Sequence, residues 1–284
     1  MEFKSPYKQL DRKVNTWCNY TKRLDTYGCG CQHDCSYCYA KSLLSFRGLW
    51  NAVEPSTASN IVIARKIKLL KSGDIVRMGG MTDCFQPLEL KHKITYNTIL
   101  WLNRLKIHYL IVTKSELVSN DKYIKIYDKK LAHFQITITS TSKNDYEKCS
   151  VPQKRINSIE KLYKLGFDVS VRLSPFIYQY IDFDILNSIK CNKILIEFLK
   201  VNYNVKNWFK IDYSEYSLKY GGFEHLQLKK KIQLVNLITG FDKLTVGEYV
   251  EEHHKYFSQN VNFNKNDCCN LNYKVKEFNQ LTIF

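Results

Sequence analysis

Four cysteines, Cys29, Cys31, Cys35 and Cys38, fall within ten residues of the stretch "GCGCQHDCSYCYA" at 28–40, beside His33 and two tyrosines. Thiols at this density bind soft metals or do redox chemistry. Two chemistries compete for them. Four donors, the three later cysteines plus Cys29 or His33, would close a tetrahedral zinc site. Cys31, Cys35 and Cys38 alone, spaced C-x3-C-x2-C, make a compact loop that can put three thiolates on three corners of a cubane cluster and leave the fourth iron open. Zinc knuckles favour two separated C-x2-C pairs. Cys29, two residues from Cys31, is an awkward partner on one metal and reads more simply as a small residue facing the barrel.

The wider composition supports a metal or redox role. Ten cysteines are irregularly spaced in 284 residues, and the N-terminal "MEFKSPYKQLDRKVNTW" has no apolar core of signal-peptide type. A disulfide framework is therefore not expected, and a cytoplasmic protein is. No stretch approaches the ~18 apolar residues of a bilayer span. The formal charge of +16 suits a polyanionic partner, because clustered Lys and Arg bind phosphate and release counterions. Yet 35 of the 43 basic residues are Lys and 8 are Arg, and Arg makes the bidentate contacts to phosphate and guanine. The charge is also spread out, with short clusters such as "LKKK" at 228–231.

A reactive loop needs a frame, and the sequence alternates helix-like stretches with short β-branched runs, the pattern of βα units around a parallel sheet or barrel. Helical spacing over 58–71 leads to "SGDIVRMGG". A helix over 89–105 leads to "HYLIVTKS", and one near 120–129 leads to "HFQITITS". "RINSIEKLYKLG" precedes "FDVSVRLSP", and a helix around 181–189 precedes "NKILIEF". With a first strand just before Gly28, about six βα units result. Ligands of such barrels gather at the strands' C-terminal ends. There stand the cysteine loop, then 79–84, Thr113 to Ser115, Thr139 to Ser142, Arg172 to Ser174, and Glu197.

The C-x3-C-x2-C spacing, with the aromatic Tyr37 just before the last cysteine, resembles the signature of radical S-adenosylmethionine enzymes. "GCQHDCSYCYA", "MTDCFQPLE" after the second strand and "TKS" after the third are similar to the spore photoproduct lyase-like branch. The likeness covers roughly residues 24–200. It implies an α/β fold, a partial (βα)6 TIM-type barrel with a C-terminal extension. The expected divisions are an N-terminal extension at 1–22, the barrel core at 23–200, and a C-terminal region at 201–284 that covers the barrel or binds substrate. It also implies a 4Fe-4S cluster on Cys31, Cys35 and Cys38, with the amino and carboxylate groups of S-adenosylmethionine on the open iron. One electron then splits the S-C5′ bond, and the 5′-deoxyadenosyl radical takes hydrogen from a substrate.

By position, the resemblance places Tyr37 against the adenine and Gly79 and Gly80 at the cofactor's amino group, with Thr82 beside them. Lys114 is a candidate partner for the cofactor carboxylate, Arg172 a second one, and Thr139 and Ser140 candidates for the ribose hydroxyls. Cys84 is the candidate hydrogen-atom donor, although Gly80 or Met81 stands where the lyase cysteine aligns. The expected partners are an electron donor such as flavodoxin or ferredoxin and a nucleotide in DNA or RNA. A peptide or protein substrate is the enzymatic rival, and a non-catalytic zinc-containing nucleic-acid-binding protein the rival from another class.

Some features stay outside this scheme. The adjacent Cys268 and Cys269 in "NKNDCCN" read as a surface or barrel-plugging pair, with Cys18, Cys149 and Cys191 scattered along the chain. "EYVEEHHKYF" at 248–257 reads as a solvated helix rather than a metal site. Trp50, Tyr203, Trp208 and Tyr220 are aromatics that could stack on bases or serve the core.

Overall fold

The computed structural model describes residues 7–9, 18 and 20–271, so most of the N-terminal extension and residues 272–284 lie outside the described residues. In chain order the strands are β1 (Tyr7–Gln9), β2 (Lys22–Leu24), β3 (Tyr27–Gly28), β4 (Ser56–Thr57), β5 (Ile75–Met78), β6 (His108–Thr113), β7 (Ala132–Thr137), β8 (Asp168–Phe176), β9 (Lys193–Phe198), β10 (Leu218–Tyr220), β11 (Phe223–His225) and β12 (Lys243–Val246). The helices are α1 (Tyr39–Phe46), α2 (Asn60–Ile67), α3 (Leu88–His92), α4 (Ile94–Arg104), α5 (Asp121–Ile124), α6 (Pro152–Lys164), α7 (Phe183–Ser188), α8 (Tyr203–Trp208), α9 (Leu228–Asn236) and α10 (Glu251–Asn260).

One sheet runs β1-β2-β5-β6-β7-β8-β9-β12. From β2 to β12 every neighbour is parallel, and β1 adds antiparallel at the edge. This is the expected α/β partial barrel of TIM type, with seven parallel strands. The seventh, β12, lies beyond residue 200, so the sheet continues into the C-terminal region. Its four residues, "KLTV", are too few to show a period in the sequence.

Period-2 alternation gives the strands two faces. Val76, Met78, Tyr109, Ile111, Phe134, Ile136 and Val171 point outward and are buried in one core with helix residues such as Ile63, Ile99, Leu102, Ile159 and Leu162. Arg77, Gln135, Arg172 and Glu197, on the opposite phase, line the lumen with polar groups.

Two local expectations shift. The strand before Gly28 divides: β2 joins the sheet, while β3 leaves it and pairs antiparallel with β4. The long helix over 89–105 breaks into α3 and α4 because Lys93 adopts a left-handed φ of 54°. The buried Glu89 carboxylate receives the freed Thr95 and Tyr96 N–H groups, each at 2.9 Å, satisfying donors that a helix start leaves orphaned. Among the described residues no helix is long and apolar enough to cross a membrane.

Candidate active site

After β3 the chain turns sharply. Cys29 takes φ 52° and Gly30 φ 146°, and a Cβ at Gly30 would lie 1.7 Å from the Asn51 carbonyl oxygen, so only glycine passes here. The turn delivers Cys31 and Cys35, both buried, and Cys38, which caps α1. Other segments hold the loop in shape. Asn51 N–H donates to the Cys29 carbonyl at 2.9 Å, Ser36 N–H to Tyr146 at 2.9 Å, and Lys148 N–H to His33 at 2.7 Å. Gln32 N–H donates to Gln86 Oε1 at 2.9 Å.

The loop's sulfurs do not crowd together. Among the described residues, three metal-ligating atoms come within 4.8 Å of one another at Cys18, Cys268 and Cys269, and not at Cys31, Cys35 and Cys38. A zinc ion with Zn–S bonds of about 2.3 Å would set its thiolates about 3.8 Å apart, whereas a cubane holds them on separate corners. The loop's spacing is not that of three thiolates on a single zinc ion, and three cysteines on one rim loop are the donor type an iron-sulfur cluster takes. Burial pushes all three thiols up, Cys31 to about 12, so a metal taking them must displace their protons.

Around the loop stand the ends of the next strands. Asp83, after β5, accepts from Thr113 Oγ1 at 2.7 Å, Lys114 N–H at 2.7 Å and Phe85 N–H at 2.8 Å. His33 Nε2 of the cysteine loop lies 3.2 Å from the same carboxylate. Burial opposes its charge, but His33 and these donors hold Asp83 below the usual carboxylate range. Asp83 thus ties the loops after β3, β5 and β6 into one rim.

A second tie carries Tyr37. Its hydroxyl donates to Glu147, which pairs with Arg155 and accepts from Thr139 Oγ1 at 2.9 Å. Arg155 is fully buried and also donates to the Thr137 carbonyl at 2.9 Å. Although burial penalises the charge, Arg155 and Lys114 bring Glu147 down to about 2. The Lys114 ammonium makes no ion pair within 4 Å among the described residues and stands 5.7 Å from the centre of the Tyr37 ring.

At the strand end, position 79 excludes a side chain. Gly79 has φ 82°, and a Cβ there would meet the Val112 carbonyl oxygen at 2.4 Å. Gly80 N–H donates to Asp25 Oδ1 at 2.8 Å, and its carbonyl accepts the Tyr39 hydroxyl. Three thiols on a rim loop, an uncommitted cation and a glycine strand edge are what a cluster and a charged small cofactor require.

The radical SAM superfamily model matches residues 26–190, more than half of the chain. The chain belongs to the radical SAM superfamily. An uncharacterized protein of Methanocaldococcus jannaschii is 28% identical over 202 residues, 66% of this chain and 74% of that protein. Spore photoproduct lyase complexed with dinucleoside spore photoproduct superposes with a TM-score of 0.62 at 13% identity, over 86% of this chain and 81% of the lyase. Streptococcus suis SuiB bound to the precursor peptide SuiA gives 0.55 at 14% identity, over 82% of this chain and 50% of SuiB. At these identities the two structures share the fold.

This radical SAM protein is an enzyme, and its cofactors are S-adenosylmethionine and a 4Fe-4S cluster. Together they supply, once reduced, a 5′-deoxyadenosyl radical that takes hydrogen from a substrate. A reductant and a substrate are therefore required. The zinc-containing binding protein falls with that assignment.

The structure collects Tyr37, Gly79, Gly80, Thr82, Lys114 and Thr139 on the rim that holds the cysteine loop. Several of their polar groups already have protein partners. Thr82 Oγ1 donates to the Tyr27 carbonyl at 2.6 Å, Thr139 serves Glu147, and Ser140 Oγ donates to the Ser142 carbonyl at 2.7 Å. The Tyr37 ring stands edge-on to Tyr146 and Phe209. Arg172 lies deeper in the lumen, donating to Gln135 Oε1 at 2.5 Å and pairing with Glu197. Cys84 is 1% exposed and sits in the main apolar core beside Phe85, a position that gives its thiol no open face toward a substrate.

Sequence reasoning missed Asp25, Glu147 and Arg155. Asp25 and Glu147 carry no motif spacing, and Arg155 sits on an apolar face of α6 where its burial depends on Glu147. The helix at 251–260 is not wholly solvated either: His253 is buried and lies 3.1 Å from Lys231 Nζ, which pairs with Glu248 at 2.8 Å.

Proposed function

We propose that Cys31, Cys35 and Cys38 hold the cluster, and that this enzyme acts on a nucleotide within DNA or RNA. The observation that carries the substrate reading is the charge, 43 basic against 27 acidic residues, which favours a polyanion. The fold likeness supports it: the match spans 81% of the lyase bound to a dinucleoside, against half of the peptide-bound SuiB. Tyr203 adds a local argument. It is 79% exposed at the start of α8, and α8 rests on α1, the helix after the cysteine loop, through Asn204 Nδ2 and Ser42 Oγ at 2.8 Å. An exposed ring beside the loop offers a face on which a base can stack.

The protein's own residues bind and orient. Lys114, free of ion pairs among the described residues, neutralises the cofactor carboxylate, while Gly79 and Gly80 let the cofactor's amino end approach backbone. Tyr37 acts as a strut, fixing the last turn of the cysteine loop to Glu147 and Arg155. Inside the mouth, Glu197 accepts from Ser174 Oγ at 2.5 Å. Burial raises the cost of its charge, but Arg172 and Arg77 hold it down to about 2, so an ionised acceptor is fixed in the lumen. An electron donor such as flavodoxin or ferredoxin reduces the cluster, and the cytoplasm supplies both.

The test is release of 5′-deoxyadenosine by anaerobically reconstituted protein with DNA, RNA or peptide present. Oligonucleotides should stimulate release, and their binding should weaken steeply as salt rises. Stimulation by peptides alone would transfer the proposal to the SuiB-like alternative.

A further inference from the structure

A second group of cysteines lies inside the barrel, away from the cysteine loop. Cys269 Sγ stands 3.8 Å from Cys18 Sγ and 3.8 Å from Cys268 Sγ, and all three sulfurs lie within 4.8 Å of one another. Cys18 precedes β2, and Cys269 follows 251 residues later. The pairing of the two chain ends is therefore a product of the fold and not of local spacing.

The surroundings hold this group in place. The Asp267 carboxylate accepts from the Tyr20 hydroxyl at 3.0 Å, from Cys269 N–H at 3.1 Å and from Leu271 N–H at 2.8 Å, shaping the turn that presents Cys268 and Cys269. Gln135 Nε2 reaches in from β7 to the Cys269 carbonyl at 2.9 Å, and Asn270 Nδ2 donates to the Lys243 carbonyl at the start of β12, at 2.6 Å. Tyr20, Ile75, Leu110 and Leu271 enclose Cys269 in a small apolar cluster. Ile75 opens β5 and Leu110 lies in the first half of β6. The group thus sits toward the N-terminal end of the strands, whereas the cysteine loop lies beyond their C-terminal ends.

We propose that Cys18, Cys268 and Cys269 bind one thiophilic metal ion, zinc being the chemical type, with water completing the tetrahedron, so that the ion clips the C-terminal segment to the chain just before β2 at the floor of the open barrel. The sulfur spacing carries the choice of ion. Zn–S bonds of about 2.3 Å put thiolates about 3.8 Å apart, the separation of two of the three sulfur pairs, with the third within 4.8 Å, while an iron-sulfur cubane spreads its ligands more widely. A disulfide needs sulfurs at about 2.05 Å. Cys18 and Cys268 are partly exposed, which gives an ion a way in. The Arg77 guanidinium lies within electrostatic reach of Cys18 and Cys269 and offsets the net negative charge of three thiolates on a divalent ion.

The experiment uses the full-length protein, purified anaerobically. Metal analysis should find one zinc per chain beyond the cluster iron. In wild type, peptide mapping after alkylation should show Cys18, Cys268 and Cys269 protected with metal present and modified after a strong chelator. In a variant with Cys31, Cys35 and Cys38 replaced by Ala, cobalt should give the ligand-field bands of a tetrahedral thiolate site at one equivalent. The further changes Cys18→Ser and Cys269→Ser should abolish those bands. No excess metal, no chelator-dependent protection, a disulfide among the three, or cobalt bands that survive the serine changes would each overturn the proposal. The wild-type alkylation decides the matter if the variants fail to fold.

Discussion

The cysteine loop takes its three thiols from residues 31–38, whereas the lumen triad takes Cys18 from one end of the chain and Cys268 and Cys269 from the other. The loop's thiols are spread and the lumen thiols are close together. The loop depends on outside struts, Asp83 and the Glu147–Arg155 pair, because a ten-residue excursion with three positive-φ residues, Cys29, Gly30 and Asp34, cannot hold its own shape. The lumen triad depends on the tertiary fold of the open barrel, since Cys18 and Cys269 are 251 residues apart. A metal site written locally needs the fold for its support, and one written remotely needs the fold for its existence.

The sharpest way to break this contrast is Cys35→Ala. Iron and 5′-deoxyadenosine formation should fall below detection, while the lumen triad keeps its zinc and the thermal midpoint moves little. Loss of both metals together would show that the two sites are one folding unit. Next comes Glu147→Ala, which strands the buried Arg155 charge. Removing one partner of a buried pair costs about 3–5 kcal/mol, readable in denaturant midpoints, and the loop should lose iron before the lumen loses zinc.

Acid should act on the same strut. The folded Glu147 carboxyl titrates at about 2 against an ordinary 4.5. Its contribution is present above pH 4.5 and is lost as pH falls from 4.5 through 2. Linkage puts this at about 3 kcal/mol, and Glu147→Gln should flatten that part of the stability curve. Gly79→Ala forces a Cβ into a left-handed residue beside the Val112 carbonyl. The left-handed backbone alone costs about 1–2 kcal/mol, the clash with the Val112 carbonyl adds to it, and S-adenosylmethionine binding, measured by equilibrium dialysis, should weaken with it. The smallest effect belongs to Cys18→Ser, which should lower the thermal midpoint by a few degrees and leave 5′-deoxyadenosine formation intact.

Much of the frame was legible because it is local. Runs such as "HYLIVT" and "KILIEF" state their own burial, and the helices between them carry a 3.6-residue period. Where structure and expectation part, a side chain that carries no period or motif intervenes. Lys93 breaks a helix because buried Glu89 caps the next one, and β3 leaves the sheet because the Asp25 carboxylate turns in to hold Gly80. Thr139 and Ser140 looked free on the rim, but the barrel hands them Glu147 and Ser142.

Sequence alone determined the three-cysteine loop, the glycine pair, the βα alternation and the superfamily, because each is carried by neighbours along the chain. Tertiary structure alone decided that Arg155 and Glu147 hold the loop, that Arg172 is committed to Gln135 and Glu197, and that Cys18 meets Cys268 and Cys269. These contacts join residues whose separation in sequence has no period, and only the packing of strands and crossovers makes them neighbours.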